Sequence, residues 1–238
     1  MQLLASATES RDKDGLRSIP PPTWEFAETC AGDLEDTFHV HIGVERIDEE
    51  PGKYTYENGV EPPERYNIDV AEDLVRISGG RERGIWQATR TLRQRLILAR
   101  KVAGVSQGDW RDEIIELKAG RVVDSPVHPT RAFLLDARRK WYSAGFLKDL
   151  CNYVSFSKLS EFRYHTSDNY PLNRGCNNTS QNIYSKFSQL PNNPVLHPLV
   201  PRHNEPHNRV EVESIEKLCA SQGITITPEI KLPGMHWQ

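Results

Sequence analysis

Three short stretches in the first half of the chain alternate between apolar and polar residues, at positions 38–44, 65–70 and 74–78. An alternation with a period of two predicts half-buried β-strands. The spacing then changes to that of an α-helix with one apolar face, whose members are Ile85, Ala88, Leu92, Leu96 and Ala99. A further apolar run at 114–117 predicts one more strand. Because such a sheet needs a helix to cover one face, residues 38–125 are predicted to form a small α+β domain.

The segment before this domain has a different character. Residues 1–37 mix charged residues with the run Pro20, Pro21 and Pro22, and the first thirty positions show no clear period. Such a composition is typical of chain ends and loops. We therefore expect residues 1–37 to be a tail or an irregular first strand.

The second half begins after Pro126 and Pro129, which hold the backbone extended and stop any helix. A strand–helix–strand–helix–strand order follows, with its apolar runs at residues 132–135, 146–154, 162–164, 212–219 and 224–227. The first run is continuous, as in a strand buried on both faces. Ser143 is the expected N-cap of the first helix. This order predicts a parallel α/β architecture over residues 126–238.

Polar and charged residues follow each of the three predicted strands of this second region. Asp136 comes directly after the first strand, His165 and Asp168 follow the second, and Glu229 follows the third. The carboxyl ends of parallel strands meet at one edge, where active sites of such folds lie. Arg131 stands at the beginning of the first strand. Because carboxylates and Arg bind hydroxyl groups by directional, charge-assisted hydrogen bonds, the pattern indicates a sugar-binding site.

Composition narrows the class of protein. The 238 residues include 30 basic and 33 acidic ones, and this net charge of −3 argues against a nucleic-acid partner. No run approaches the ~18 apolar residues of a membrane span, so no membrane partner is expected. The N-terminus reaches charged residues too soon for a signal peptide, which predicts a cytoplasmic protein for the sequence as given. A secreted, lysosomal or vacuolar location stays open if the N-terminus is incomplete.

The cysteines and histidines show no metal-binding pattern. The four cysteines lie far apart, at positions 30, 151, 176 and 219, and contain no C-x-x-C pair. We expect free thiols that are mostly buried. His197, His203 and His207 lie in a Pro-rich insertion, where prolines disfavour the helix that would bring such a spacing together. The sequence therefore predicts no metal site.

Four segments carry more specific patterns. They read RGIWQATRTL at 83–92, RAFLLDAR at 131–138, YHTSDN at 164–169 and GITITPEIKLPG at 223–234. All four resemble motifs of glycoside hydrolase family 20, the β-N-acetylhexosaminidases. The segment at 83–92 is similar to G-x-x-x-G-x-x-T-L, and that at 131–138 to R-G-x-x-L-D-x-x-R. The segment at 164–169 is similar to H-x-H-L-T-D-D, and that at 223–234 to G-I-x-V-I-P-E-I-D-x-P-G-H. The resemblance covers residues 38–238. It implies a small domain followed by an incomplete TIM-type (β/α)8 barrel, of which residues 126–238 supply the first three βα units.

The resemblance also implies a reaction, the removal of terminal non-reducing β-N-acetylhexosamine residues with retention. The substrate's own 2-acetamido oxygen is the nucleophile, so no cofactor is implied. An adjacent Asp–Glu pair orients the acetamido group and protonates the leaving oxygen. By motif, Arg131 would bind hydroxyls of the terminal sugar, and Asp168 would tune the catalytic acid through a His. His165 and Glu229 are supporting candidates, and an N-acetylhexosamine-terminated glycan is the implied partner.

The chain departs from the family pattern near its end. Lys231 replaces the Asp of P-E-I-D, Met235 occupies the His position, and His236, a further supporting candidate, comes one place later. No adjacent Asp–Glu pair follows the third strand, and about three of eight barrel strands are present. The 238-residue chain is therefore predicted to be truncated and inactive. The alternatives are a non-catalytic homologue or sugar-binding remnant, and an unrelated α/β interaction domain.

Overall fold

In the computed structural model the chain divides into two compact units. Unit 1 comprises Met1–Pro129, Ser155–Lys158 and Ser221–Gly223, and unit 2 comprises Thr130–Val154, Leu159–Ala220 and Ile224–Gln238. The structure describes residues 2–6, 23–41, 43–47, 64–72, 74–79, 81–102, 115–137, 140–167, 189–199 and 205–230.

The described residues of unit 1 form two small sheets and two helices. Its elements are β1 (Gln2–Ser6), α1 (Thr23–Phe38), β2 (Gly43–Ile47), β3 (Tyr66–Val70), β4 (Val75–Gly79), α2 (Glu82–Val102) and β5 (Gly120–Asp124). β1 pairs in parallel with β2, whereas β3 pairs antiparallel with both β4 and β5. The predictions of strands at 65–70 and 74–78 and of the helix through 85–99 are confirmed.

The core of unit 1 forms where α2 covers the three-stranded sheet. Ile68 in the central strand pairs with Ile77 on one side and Val122 on the other. Ala88 and Leu92, from the apolar face of α2, pack against this strand. The helical spacing in the sequence therefore identified the residues that bury the sheet.

The expectation of a tail or irregular strand over residues 1–37 is wrong at its C-terminal end, because Thr23–Phe38 is a 16-residue helix. Its buried side chains include Phe26, Cys30, Leu34 and Phe38, which repeat every four residues along one face. The acidic residues between these positions obscured this period in the sequence. Residues 7–22 lie outside the described residues.

Two strand boundaries also differ from prediction. The run at 38–44 begins inside α1, since Phe38 is the last residue of that helix and His39 follows with a left-handed φ of 51°. The strand there is β2, Gly43–Ile47. Residues 115–117 of the predicted run at 114–117 are not in a strand, and the chain instead pairs with the sheet at β5. In both places apolar alternation located a strand a few residues too early.

Unit 2 is built on a parallel sheet. Its elements are β6 (Ala132–Asp136), α3 (Ala144–Phe156), β7 (Glu161–Ser167), a 3₁₀ helix (Pro194–Leu199), α4 (Arg209–Ser221) and β8 (Thr225–Ile230). The strand order is β6-β7-β8, with both pairs parallel. The predicted α/β class is confirmed. The predicted cap is confirmed as well, because the Phe146 amide donates a 3.2 Å hydrogen bond to Ser143 Oγ.

The helices α3 and α4 cover one face of this sheet. Leu147 and Val154 of α3 and Ile215 of α4 pack with Phe162 and Tyr164 of β7 in a single buried cluster. The expectation that 132–135 is buried on both faces is wrong for the described structure, because the Leu134 side chain is 52% exposed. β6 lies at the edge of the described sheet, so nothing described pairs with its outer side.

The expectation of four free thiols is wrong for two of them. Cys151 of α3 and Cys219 of α4 form a disulfide, with a Cα–Cα distance of 5.3 Å. Cys30 is free and buried as expected, and Cys176 lies outside the described residues. The wide spacing of the cysteines in sequence does not predict this pairing. The two helices become neighbours only in the folded chain, where the connection through β7 brings α3 next to α4.

Candidate functional site

The candidate site is the carboxyl edge of the parallel sheet in unit 2. Strand register sets Asp136 of β6 opposite His165 of β7, and His165 opposite Glu229 of β8. Side chains that are opposite each other in a sheet project from the same face. Three titratable residues from three separate strands therefore form one row.

His165 and Glu229 make a direct contact in this row. His165 Nδ1 lies 3.4 Å from Glu229 Oε1, with the imidazole almost completely buried and the carboxylate half exposed. The backbone at this edge is fixed: Ala137 N donates to His165 O at 3.1 Å, and Thr166 Oγ1 donates to Glu229 O at 3.3 Å. An imidazole beside an accessible carboxylate can orient that carboxylate towards the hydroxyl or amide groups of a ligand.

Arg131 lies at the opposite end of β6 from this row. Its amide donates to Ser160 Oγ at 3.0 Å, and its carbonyl accepts from the Ser160 amide at 2.9 Å. Five residues of strand separate it from Asp136, which is roughly 16 Å at 3.3 Å per residue. The structure thus brings His165 and Glu229 together and does not bring the Arg131 backbone to them.

Two other predicted site residues, Asp168 and His236, lie outside the described residues. Asp136 is a residue that the sequence analysis placed at a strand end without assigning it to the site. The signal in the sequence was the Leu135-Asp136 step, where a charged residue ends the apolar run of β6. Register in the folded sheet adds Asp136 to the candidate site.

A cleft of about 460 Å³ lies at the same edge, on the side of the sheet that faces α4. Thr166 of β7, Arg209 and Glu213 of α4, and Asn192 are among the residues that line it. Arg209 Nε and Glu213 Oε1 lie 2.5 Å apart, so the one cation among these lining residues already has a carboxylate partner. The lining therefore mixes polar residues with apolar ones such as Leu190 and Val212, and it carries no surplus of positive charge.

His207 lines this cleft, and the Trp141 ring lies beside His207. His207 is buried, and its Nδ1 is 3.6 Å from Glu211 Oε2. The Trp141 ring centroid is 6.4 Å from that of His207, and Trp141 is 49% exposed. Tyr142 instead stacks on Phe146 at 5.0 Å and packs against the core. Of these two adjacent aromatics, Trp141 is the more exposed.

Two other kinds of site are absent from the part of the chain that the structure describes. There, no three His, Cys, Asp or Glu side chains are placed so that they could hold a metal ion. No described helix combines the length and the apolar character that crossing a membrane requires.

Comparison with known proteins shows which of them this chain resembles. No family profile matches it. It is 27% identical over 167 residues to a β-hexosaminidase of Akkermansia muciniphila, a match that covers 66% of this chain and 29% of the relative. It is 25% identical over 133 residues to a chitooligosaccharidolytic β-N-acetylglucosaminidase of Ostrinia furnacalis, covering 55% of this chain and 20% of that protein. The resemblance to glycoside hydrolase family 20 is confirmed.

Solved structures of family 20 share the fold. A family 20 exo-β-N-acetylglucosaminidase of Vibrio harveyi superimposes with a TM-score of 0.65 at 18% identity, over 98% of this chain and 33% of that one. An N-acetyl-β-hexosaminidase of Streptomyces plicatus gives 0.63 at 17% identity, over 98% and 42%. The chain thus spans less than half the length of these family 20 proteins.

Proposed function

We propose that this chain is part of a family 20 glycosidase that removes terminal non-reducing β-N-acetylhexosamine residues by substrate-assisted, retaining hydrolysis. The observation that carries the proposal is the row of Asp136, His165 and Glu229 at the carboxyl edge of a parallel sheet. All three lie in segments that resemble motifs of family 20, and this edge is where barrel enzymes bind their substrates. The names of the relatives, which describe hexosaminidases, support the same substrate class.

The proposal includes an architecture. Residues 126–238 form the first three βα units of a TIM-type barrel, and residues 38–125 form a small α+β domain before it. The parallel order β6-β7-β8, with a helix after each of the first two strands, supports this assignment. Among the described strands none pairs with the outer side of β6, which fits a strand whose neighbour in a closed barrel comes from elsewhere.

In the proposed site the chain's residues bind and orient the sugar. Arg131 and Asp168 bind the terminal N-acetylhexosamine, and His165, Glu229 and His236 support them. The contact between His165 and Glu229 supports a role in fixing the carboxylate at the sheet edge. A charge-assisted hydrogen bond to a ligand hydroxyl contributes about 1.5–3 kcal/mol, so the loss of one is measurable as weaker binding.

We further propose that these 238 residues do not hydrolyse a glycoside by themselves. Substrate-assisted hydrolysis needs a carboxylic acid at the leaving oxygen beside a carboxylate at the acetamido group. Residues 231–238, which follow β8, contain no Asp or Glu. The assay is release of a chromogenic leaving group from an N-acetylglucosaminide, and turnover above a matched blank would overturn this part of the proposal.

The alternative function is sugar binding without catalysis, as in a non-catalytic homologue. It is supported by the same row of polar side chains, because binding requires no acid–base pair. A titration with N-acetylglucosamine-thiazoline, which mimics the cyclised intermediate, distinguishes the glycosidase and the sugar-binding protein from an unrelated interaction domain. Either sugar-related function predicts a rise in melting temperature with this compound but not with glucose, whereas an interaction domain predicts no shift with either.

A further inference from the structure

The disulfide of unit 2 joins the two helices that cover its sheet. Cys151 lies in the second half of α3 and Cys219 near the end of α4, and both are completely buried. They belong to the cluster that also contains Leu147, Phe162 and Ile215. The bond therefore passes through the centre of the core of unit 2.

The position of this bond gives it a large effect on the unfolded chain. The two cysteines are 68 residues apart in sequence, and the closed loop contains the whole of β7 together with most of α4. A crosslink reduces the conformational entropy of the unfolded chain, and its effect grows with the length of the loop that it closes. Within the described residues of unit 2, this disulfide is the one covalent link between α3 and α4 apart from the chain that connects them.

Cys30 of unit 1 shows what an unlinked buried cysteine looks like in the same protein. It packs against Ala27 and Leu34 in the interior. Burial raises the pKa of its thiol to about 11, so the reactive thiolate is scarce near neutral pH. Cys30 is a small apolar core residue, whereas Cys151 and Cys219 lie at a Cα–Cα distance that is usual for a disulfide.

We propose that the Cys151–Cys219 disulfide is a structural crosslink on which the stability of unit 2 depends. On this proposal the protein acquires the bond while folding in an oxidising compartment, in place of the cytoplasmic location expected from the N-terminus. The two thiols each give up a proton and together two electrons. A small-molecule disulfide such as oxidised glutathione accepts them and leaves as two thiols, through a mixed disulfide with one of the cysteines. Since both sulfurs are buried in the folded state, the exchange takes place before α3 and α4 close.

The same burial predicts how the finished protein responds to reductant. A thiolate must reach a sulfur atom to open the bond, and α3 and α4 cover both. The folded protein therefore keeps the disulfide in millimolar dithiothreitol, and loses it once denaturant opens the core. A protein made in a reducing compartment lacks the bond, because such compartments keep thiols reduced.

The first test is peptide mapping of the full chain after export through an oxidising compartment. The protein is denatured, alkylated without reductant and digested. The expected result is one linked peptide pair containing Cys151 and Cys219, while Cys30 is alkylated. Alkylation of all four cysteines, or a link from Cys151 or Cys219 to Cys176, would overturn the proposal.

The second test is thermal unfolding of variants. Cys151→Ser combined with Cys219→Ser should lower the melting temperature by about 10 °C or more, given the loop length and the size of the unit. Reductant should have no effect on this double variant. Cys176→Ser is the matched control and should keep both the linked peptides and the melting temperature. A double variant that melts like the wild type would contradict the stabilising role, and one that fails to fold leaves the peptide map as the deciding measurement.

Discussion

Gly223 is a position where the addition of one methyl group should strongly destabilise unit 1. Its φ is +70°, in the left-handed region that L-residues rarely adopt. A Cβ at this position would lie 2.4 Å from Cδ1 and 2.6 Å from Nε1 of Trp86. Real Cβ contacts are not this short, so Gly223→Ala must displace either the indole or the backbone of the turn.

Trp86 has little freedom to move. Its ring stacks on Phe26 at 4.8 Å, the Arg90 guanidinium lies 3.8 Å from its centroid, and its Nε1 donates to Ser155 Oγ at 3.2 Å. The Ser155 hydroxyl in turn donates to the carbonyl of Gln222 at 2.7 Å, next to the glycine. A shift of the indole therefore disturbs a stack, a cation–π contact and two hydrogen bonds together.

The expected cost of Gly223→Ala has two parts. The left-handed backbone costs an alanine roughly 1–2 kcal/mol. Overpacking against a fixed neighbour adds about 1–3 kcal/mol. The free energy of unfolding should thus fall by roughly 2–5 kcal/mol, a large share of the about 5–15 kcal/mol of a typical domain.

The assay is urea unfolding followed by far-ultraviolet circular dichroism. Gly32→Ala is the matched control, because Gly32 lies in α1 with nothing within 4 Å of its added Cβ. It should leave stability unchanged or raise it by up to about 1 kcal/mol, since alanine favours helix more than glycine. A Gly223→Ala protein within about 0.5 kcal/mol of the wild type would refute the reasoning.

Two further predictions concern charged groups in unit 1. Asp33→Asn should lower the free energy of unfolding, measured in urea, by about 3 kcal/mol. The cause is the buried Arg90 guanidinium, which lies 2.6 Å from Asp33 Oδ2 and would lose its counter-charge. Glu35→Gln, at an exposed ion pair, is the control and should change stability very little. Although burial raises the pKa of Asp124, hydrogen bonds from Tyr66 and Lys158 outweigh it and hold that pKa below its usual range. Tyr66→Phe should therefore lower the free energy of unfolding at pH 7, and its difference from the wild type should shrink as the pH falls below about 4. A difference in stability that stays constant with pH would contradict this linkage.

Much of the fold could be read from the spacing of apolar residues. The face of α2, the strands β3 and β4, and the element order of unit 2 all follow from periods of 3.6 and 2. The helix α1 was missed because its apolar stripe is one residue wide per turn and charged residues surround it. A proline run followed by charged residues is typical of a loop. Only the position of a second helix, against which it packs, shows that this segment is a helix.

The site was predictable only in part. The strand-end positions identified His165, Glu229 and Asp136 as neighbours of one edge, because parallel strands end together. The contact between His165 and Glu229 depends on register, which a single sequence does not specify. The Cys151–Cys219 pairing was not predictable for a related reason, since the connectivity of cysteines cannot be deduced from spacing.

The measurement that tests the account most directly is a calorimetric titration of the chain with N-acetylglucosamine-thiazoline. The account predicts saturable binding, weakened at least tenfold by Arg131→Ala. Arg121→Ala is the control, because this exposed arginine of β5 pairs with Asp69 in unit 1 and should leave binding unchanged. The absence of binding by the wild-type chain would contradict the assignment of this sheet as a site for N-acetylhexosamine, and equal affinity in the two variants would contradict the role of Arg131 in binding the sugar.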